Sequence, residues 1–272
     1  FLSAALRPNT NATYGVRSLD GYDGGLWVTT RWALGVSPLV DGELDASLPL
    51  SWQVSLPLEP AEAGRAGIGY AVVDLAQFRT LAGDPDQPEG QVLDAVVPGW
   101  GPPVARHDAL VLVPNPARRA DGTVAFATVR APDPDSAAPQ LRTPGPGVAV
   151  VEGDGDALVS PESCEPLDIE IDRARPGRAV ATLPDLSRPG VLSITAQPLP
   201  GWEVTVDGEA REVLAVDVLR AGVAVEPGDQ VVEFRYRQPG LRLAGLLMVA
   251  GLVVTALCLL EPRWLRGSPP AR

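Results

Sequence analysis

Short apolar stretches separated by turn residues run through most of the chain. The 29 prolines and 28 glycines break the sequence into segments too short for long helices, which is typical of a fold built from many short strands. Apolar and polar residues alternate most clearly over 167–172, 191–197, 202–206 and 231–237, as in half-buried strands. Asp207-Gly208 adds a strong hairpin signal. These features predict a small antiparallel β-sandwich over residues 161–238.

The segment before this sandwich is less regular. Residues 109–114, 123–129 and 147–152 have the composition of strands, and residues 72–81 are compatible with a short helix. The proline-rich stretch 131–146 indicates a loop or a boundary. We therefore expect residues 41–160 to form a β-rich extracytoplasmic region, preceded by a membrane-proximal segment over 1–40.

An uncharged apolar run lies near the C-terminus. The eighteen residues from Leu243 to Leu260 contain no charged side chain. As a helix they would be about 27 Å long, close to the thickness of a bilayer core. The run predicts a transmembrane helix over 241–260 and a short arginine-containing tail over 261–272, rather than a buried core helix. Four flanking residues are expected as interfacial anchors: Arg242, Arg263, Trp264 and Arg266.

The orientation of this helix does not follow from charge, since equal numbers of arginines flank it on the two sides. We expect the large β-rich part on the extracytoplasmic side of the cell membrane. The predicted fold class is thus mainly β, with an antiparallel β-sandwich-type domain or domains followed by one transmembrane helix.

Two tryptophans near the start of the chain are open to two interpretations. Trp27 and Trp32 lie in an apolar patch that also contains Arg31. Such a segment either lies at the lipid surface as an interfacial anchor or packs against the core of the domain. The sequence favours neither.

Charge and the reactive residue types exclude several classes of function. The net charge of −12 argues against nucleic acid as a partner, because nucleic acid binding needs a basic face. The only histidine, His107, has no Ser or Cys motif or second histidine near it in sequence, so it supports neither a hydrolytic triad nor a zinc site. Acidic pairs such as Asp84 and Asp86 do not follow the spacing of a calcium loop and are expected in solvated turns. No catalytic residue, metal ligand or cofactor is predicted.

The tract from Asn9 to Asp23 concentrates polar side chains with little apolar content. Groups this dense either hold a long loop together or bind a polar ligand. The residues alone favour the structural role.

Two stretches resemble YfhO-like bacterial membrane proteins. The tract PNTNATYGVRSLDGYD, residues 8–23, is similar to the segment after the last of that family's many membrane helices. Residues 201–254 are similar to its C-terminal end: Pro200-Gly201-Trp202 with Asp207-Gly208 forms a hairpin, and a strand with Phe234 and Tyr236 then leads into the final helix. The resemblance covers about 70 residues directly, and its motifs are structural rather than catalytic.

The resemblance implies the C-terminal part of a polytopic protein of the GT-C glycosyltransferase type. Such proteins are thought to transfer sugars from polyprenyl-phosphate donors to cell-envelope glycans, and a divalent metal in the membrane part is compatible with the class. The implied partners are the lipid bilayer, an N-terminal multi-helix region, and a lipid-linked sugar or envelope glycan. The residues implied to contact the sugar or the membrane part are Asn9, Tyr14, Arg17, Asp20, Tyr22 and Asp23. The alternative is a single-pass anchored carbohydrate-binding or adhesion module without catalytic activity.

Overall fold

The computed structural model describes residues 30–40, 55–65, 67–141, 147–154, 165–175 and 177–259. These residues form a mainly β fold with antiparallel sheets, as the sequence predicts. The helices are α1 (Thr30–Val36), α2 (Pro60–Arg65), α3 (Leu75–Ala82), α4 (Glu89–Val96), α5 (Pro134–Gln140) and α6 (Leu241–Leu259), with a 3-10 turn over Ser37–Leu39. The strands of the first half are β1 (Tyr70–Asp74), β2 (Ala105–His107), β3 (Leu110–Pro114), β4 (Gly122–Ala125), β5 (Ala127–Ala131) and β6 (Val148–Glu152). Those of the second half are β7 (Leu167–Ile169), β8 (Ile171–Asp172), β9 (Arg178–Thr182), β10 (Gly190–Ile194), β11 (Trp202–Val206), β12 (Glu209–Arg211), β13 (Leu214–Val216), β14 (Arg220–Val225) and β15 (Val231–Tyr236).

Two sheets form a sandwich around the main core. One sheet has seven strands in the order β5-β6-β13-β14-β10-β4-β7, and the other has five in the order β12-β11-β15-β9-β8. Among the strands of the described ranges, only the β5–β6 pair is parallel. Phe234 of the five-stranded sheet and Leu192 of the seven-stranded sheet are fully buried in one apolar cluster between them. Alternation along β15 accounts for this packing, since Val232 and Phe234 are buried while Arg235 is exposed.

The sandwich is larger than the range 161–238 that the alternating pattern marks. Strands β4, β5 and β6 precede residue 161 and belong to the seven-stranded sheet. The strand expected over 123–129 is divided into β4 and β5. All four residues of β4 are buried, so no apolar–polar alternation marks it as part of the sandwich. The segment 167–172, expected to be one strand, is divided at Glu170 into β7 in one sheet and β8 in the other.

A smaller α/β unit precedes the sandwich. Its antiparallel sheet has the order β1-β3-β2, and helices α2 to α4 share a core with it that includes Val73, Val92 and Val111. The helix expected over 72–81 begins only at Leu75, because the Asp74 carboxylate accepts the Ala76 and Gln77 N–H groups as an N-cap.

The stretch 131–146, expected to be a loop or a boundary, contains helix α5. The Asp133 carboxylate caps this helix by accepting the Ser136 N–H over 2.7 Å. The hydrogen bond holds the pKa of Asp133 below its usual value.

The last described element, α6, follows β15 after a link of only four residues, 237–240. From residue 246 to 257 every residue is exposed, although most of the side chains are large and apolar. None of the helices in the described ranges combines the length and the hydropathy needed to cross a membrane. The transmembrane helix expected over 241–260 is therefore not found among the described residues, and what they show is an apolar helix of 19 residues.

Candidate functional site

Most of the residues singled out in the sequence lie outside the described ranges. These are Asn9, Tyr14, Arg17, Asp20, Tyr22, Asp23, Trp27, Arg263, Trp264 and Arg266. Arg242 is the second residue of α6. The predictions made for these residues stay predictions.

Trp32 is the one expected membrane anchor whose side chain is described. It is only 9% exposed and packs with Val36 and Val40 in an apolar cluster that Leu219 also contacts. The sequence left open whether Trp32 lies at the lipid surface or packs against the core, and the described packing agrees with the second interpretation. Helix α1 thus covers the sandwich near the β13–β14 turn.

A buried arginine lies beside this turn. Arg220 is 2% exposed and donates from Nε to Ser193 Oγ over 3.0 Å and from Nη1 to Thr195 Oγ1 over 3.2 Å. Its Nη2 donates to the carbonyl oxygens of Ala120, Asp121 and Ser193 at 3.1–3.2 Å. Burial is the main cause that lowers the pKa of Arg220 to about 10. The guanidinium therefore stays charged at neutral pH and ties the segment before β4 to β10.

The β13–β14 turn itself carries backbone strain. Asp217 and Val218 both have positive φ, 47° and 62°, which is a rare conformation for a β-branched residue. Reciprocal bonds hold the turn: the Asp217 N–H donates to the Val150 carbonyl over 2.7 Å, and the Val150 N–H donates to Asp217 Oδ1 over 2.9 Å. The buried Asp217 carboxylate also accepts a bond from Arg119.

Two further arginines surround the same turn. Arg31 of α1 pairs with Glu152 and donates to the Val218 carbonyl over 3.1 Å. Arg65 of α2 donates to the Leu141 carbonyl, and its pKa is lowered first by burial and then by the charge of Arg119. This arginine network, defined as Arg31, Arg65, Arg119 and Arg220, joins α1, the α/β unit and the sandwich.

The contacts of the arginine network are those of a structural element rather than of a catalytic site. At neutral pH a guanidinium group donates hydrogen bonds but neither releases nor takes up a proton, so it is not a general acid or base. The described contacts of the network go to carbonyls, hydroxyls and carboxylates of the chain. Sequence reasoning missed these residues because Arg31, Arg119 and Arg220 are distant in sequence from the groups that they bind. The only available signal was an arginine at the start of an otherwise apolar strand, the Arg220 of β14.

The remaining candidates lie on the surface. His107 is exposed on β2, and its Nε2 is 3.8 Å from an Asp108 carboxylate that is also exposed. Asp84 accepts the Asp86 N–H over 3.1 Å, as in a solvated turn. Within the described ranges, no group of His, Cys, Asp and Glu side chains is arranged to hold a metal ion.

A second feature is the junction between the sandwich and α6. Trp202 of β11 packs against Tyr236 of β15 with ring centroids 5.3 Å apart, and its Nε1 donates to the Gln197 carbonyl over 3.0 Å. Gly201, with φ of 107°, accepts the Arg237 N–H at its carbonyl over 2.8 Å. A Cβ at Gly201 would lie 2.3 Å from the Arg237 carbonyl oxygen, so only glycine fits. The junction fixes the end of β15 directly before the helix.

Comparison with known proteins gives no family for this chain. No family model matches it, and neither does any curated protein or solved structure. The resemblance of residues 8–23 and 201–254 to YfhO-like proteins therefore stays a prediction from sequence.

Proposed function

We propose that this chain is the membrane-anchored, extracytoplasmic part of a YfhO-like membrane protein. In this proposal α6 inserts in the bilayer and the β-rich part stands on its outer surface. Its role is auxiliary to the transfer of sugars from polyprenyl-phosphate donors to cell-envelope glycans. In this proposal catalysis belongs to the N-terminal membrane helices that the resemblance implies.

The exposure of α6 is the observation that carries the anchoring. Large apolar side chains on all sides of the helix are 52–70% exposed from Leu246 to Leu257. Burial in an apolar phase stabilises such side chains by roughly 1.5–3 kcal/mol each. A helix that is apolar all round needs surroundings of that kind, and the uncharged sequence continues to Leu260. A bilayer supplies these surroundings along the whole helix.

The junction supports a position of the sandwich close to the membrane. Four residues extend over at most about 14 Å, so Arg237 lies within that distance of the first residue of α6. The Trp202–Tyr236 pair lies at the same end of the sandwich, and these two residue types are common where protein meets the membrane surface. Proximity to the bilayer would place the domain beside a lipid-linked substrate.

The family assignment is supported by the order of its motifs on the fold. The Pro200-Gly201-Trp202 segment opens β11, and Asp207-Gly208 forms the β11–β12 hairpin with both φ angles positive. The strand with Phe234 and Tyr236 is β15, and α6 follows it. The features of the second stretch, residues 201–254, thus follow one another in one continuous part of the described chain.

Two experiments test the family and the role. The first is to read the gene in frame upstream of Phe1. About ten hydrophobic spans support the proposal, whereas a signal peptide directly before Phe1 supports an anchored carbohydrate-binding or adhesion module. The second is to measure glycosyl transfer by the longer protein with Arg17→Ala and Asp20→Ala. We expect transfer to fall, and normal transfer at normal expression would contradict a role of these residues.

A further inference from the structure

The loops at the two ends of the sandwich carry opposite charge. At the end from which α6 leaves, the segments 173–178 and 235–240 contain five arginines and no carboxylate: Arg173, Arg175, Arg178, Arg235 and Arg237. At the opposite end, the turns 207–212 and 226–230 contain five carboxylates and one arginine. In a chain of net charge −12, the concentration of cations at one end needs an explanation.

The two arginine-bearing segments are neighbours in space. The Tyr236 N–H donates to the Gly177 carbonyl over 2.7 Å, and Arg178 pairs in register with Arg235 across β9 and β15. The described residues of 173–178 therefore lie beside the residues that lead into α6. We call these two segments the arginine end.

Four of the five arginines of this end have a carboxylate partner in the chain. Arg173 donates from Nε and Nη2 to the Asp121 carboxylate over 2.7 and 3.0 Å. Glu233 pairs with both Arg178 and Arg235, at 2.7 and 2.8 Å. Arg237 is 3.4 Å from Glu203, and each of these two side chains is 54% exposed. Arg175 is exposed and has no ion-pair partner among the described residues. The exposed Arg237–Glu203 pair is weak, so Arg175 and Arg237 are the guanidinium groups of this end that are most able to bind other anions.

We propose that the arginine end binds the anionic headgroups of the bilayer in which α6 is inserted. The inference rests on the proposed membrane anchoring and adds the lipid class and the orientation of the domain. Guanidinium groups form paired hydrogen bonds with phosphate oxygens, and cations near an anionic membrane surface are attracted to it within a Debye length. The acidic turns at the opposite end would be repelled. The sandwich thus stands with its arginine end down on the lipid.

The test uses the full chain in nanodiscs, with Cys164 and Cys258 replaced by serine and a donor dye on Ala174→Cys. Energy transfer to a headgroup acceptor is compared between neutral phosphatidylcholine and a mixture with anionic phosphatidylglycerol. A donor on Glu209→Cys in the acidic turns is the positional control. We expect higher transfer from position 174 in the anionic discs, lost in 0.5 M salt, and lower transfer from position 209.

Arg175→Glu is the informative variant, and Arg188→Glu is its matched control, since both arginines are exposed and Arg188 lies at the opposite end. Arg175→Glu should lower the population in contact roughly fivefold or more, and Arg188→Glu should leave it unchanged. Equal transfer in neutral and anionic discs would overturn the lipid inference while anchoring stands. A chain that does not enter nanodiscs at all would overturn both.

Discussion

Arg220 Nε lies 3.0 Å from Ser193 Oγ, and this contact joins two adjacent strands of the seven-stranded sheet. The same guanidinium reaches the carbonyls of Ala120 and Asp121. One side chain therefore connects the sandwich to the segment that leads back to the α/β unit. The buried Arg220 guanidinium has no directly bonded carboxylate. Its charge is therefore stabilised by all of these hydroxyl and carbonyl acceptors together.

Replacement of Arg220 by alanine should destabilise the fold by about 3 kcal/mol, because buried hydroxyls and carbonyls lose their donor. Urea unfolding of the full chain in mild detergent, followed by tryptophan fluorescence, measures this. Arg175→Ala is the control and should change the free energy of unfolding by less than about 0.5 kcal/mol. An Arg220→Ala variant as stable as the original chain would show that the network is not a stabilising connection.

Asp217→Ala should cost about 2–4 kcal/mol, because the change removes the carboxylate that binds Arg119 and the Val150 N–H. Asp217→Asn keeps the acceptor for Val150 and should cost less. The order of the two variants in urea unfolding separates the lost charge from the lost hydrogen bond. Equal losses would mean that the interaction with Arg119 accounts for the whole effect.

Phe234→Ala should destabilise the sandwich by about 3–5 kcal/mol, because Phe234 is fully buried between the sheets. Trp202, whose ring meets that of Phe234 edge to face at 6.5 Å, should report the change by fluorescence. Val231→Ala on the same strand is the control, since Val231 is 42% exposed. A small effect of Phe234→Ala would contradict the placement of the main core.

We expect the Glu233 carboxylate to make the free energy of unfolding sensitive to acid. The hydrogen bond from Arg178 is the main cause that holds the pKa of Glu233 below its usual 4.5. A carboxyl whose pKa is lower in the folded state stabilises the fold above its unfolded pKa, and this contribution is lost as the pH falls through the folded pKa. Between pH 6 and pH 3 the free energy of unfolding should therefore fall less for Glu233→Gln than for the original chain. Arg178→Gln should reduce the loss in the same way, and the double variant should add little.

Sequence reasoning succeeded where one face of a strand meets water. The alternation around Trp202–Val206 and Val231–Tyr236 gives strands and their buried faces, because each strand has a polar side that marks its period. It failed where both faces are covered. All residues of strand β4 are buried, so the local sequence gives no sign that β4 belongs to the sandwich.

The arginine network could not be predicted from the sequence, for a related reason. Arg31 binds Glu152, 121 positions away, and only the fold brings the two together. Helices α3 and α5 were shifted or missed because an aspartate cap decides where each begins. The helical conformation of α6 was predictable from eighteen uncharged residues in succession, but the transmembrane span expected there is not found among the described residues.

Flotation of the full chain with liposomes, followed by carbonate extraction, tests the central claim most directly. We expect the chain to float and to resist extraction. Val249→Asp with Val253→Asp should abolish both properties, since each aspartate near the middle of a membrane helix costs about 2.5–3.5 kcal/mol. Leu81→Asp, on an exposed leucine of α3, should behave like the original chain. An original chain that stays in the dense fraction, or that carbonate releases, would contradict membrane anchoring by α6.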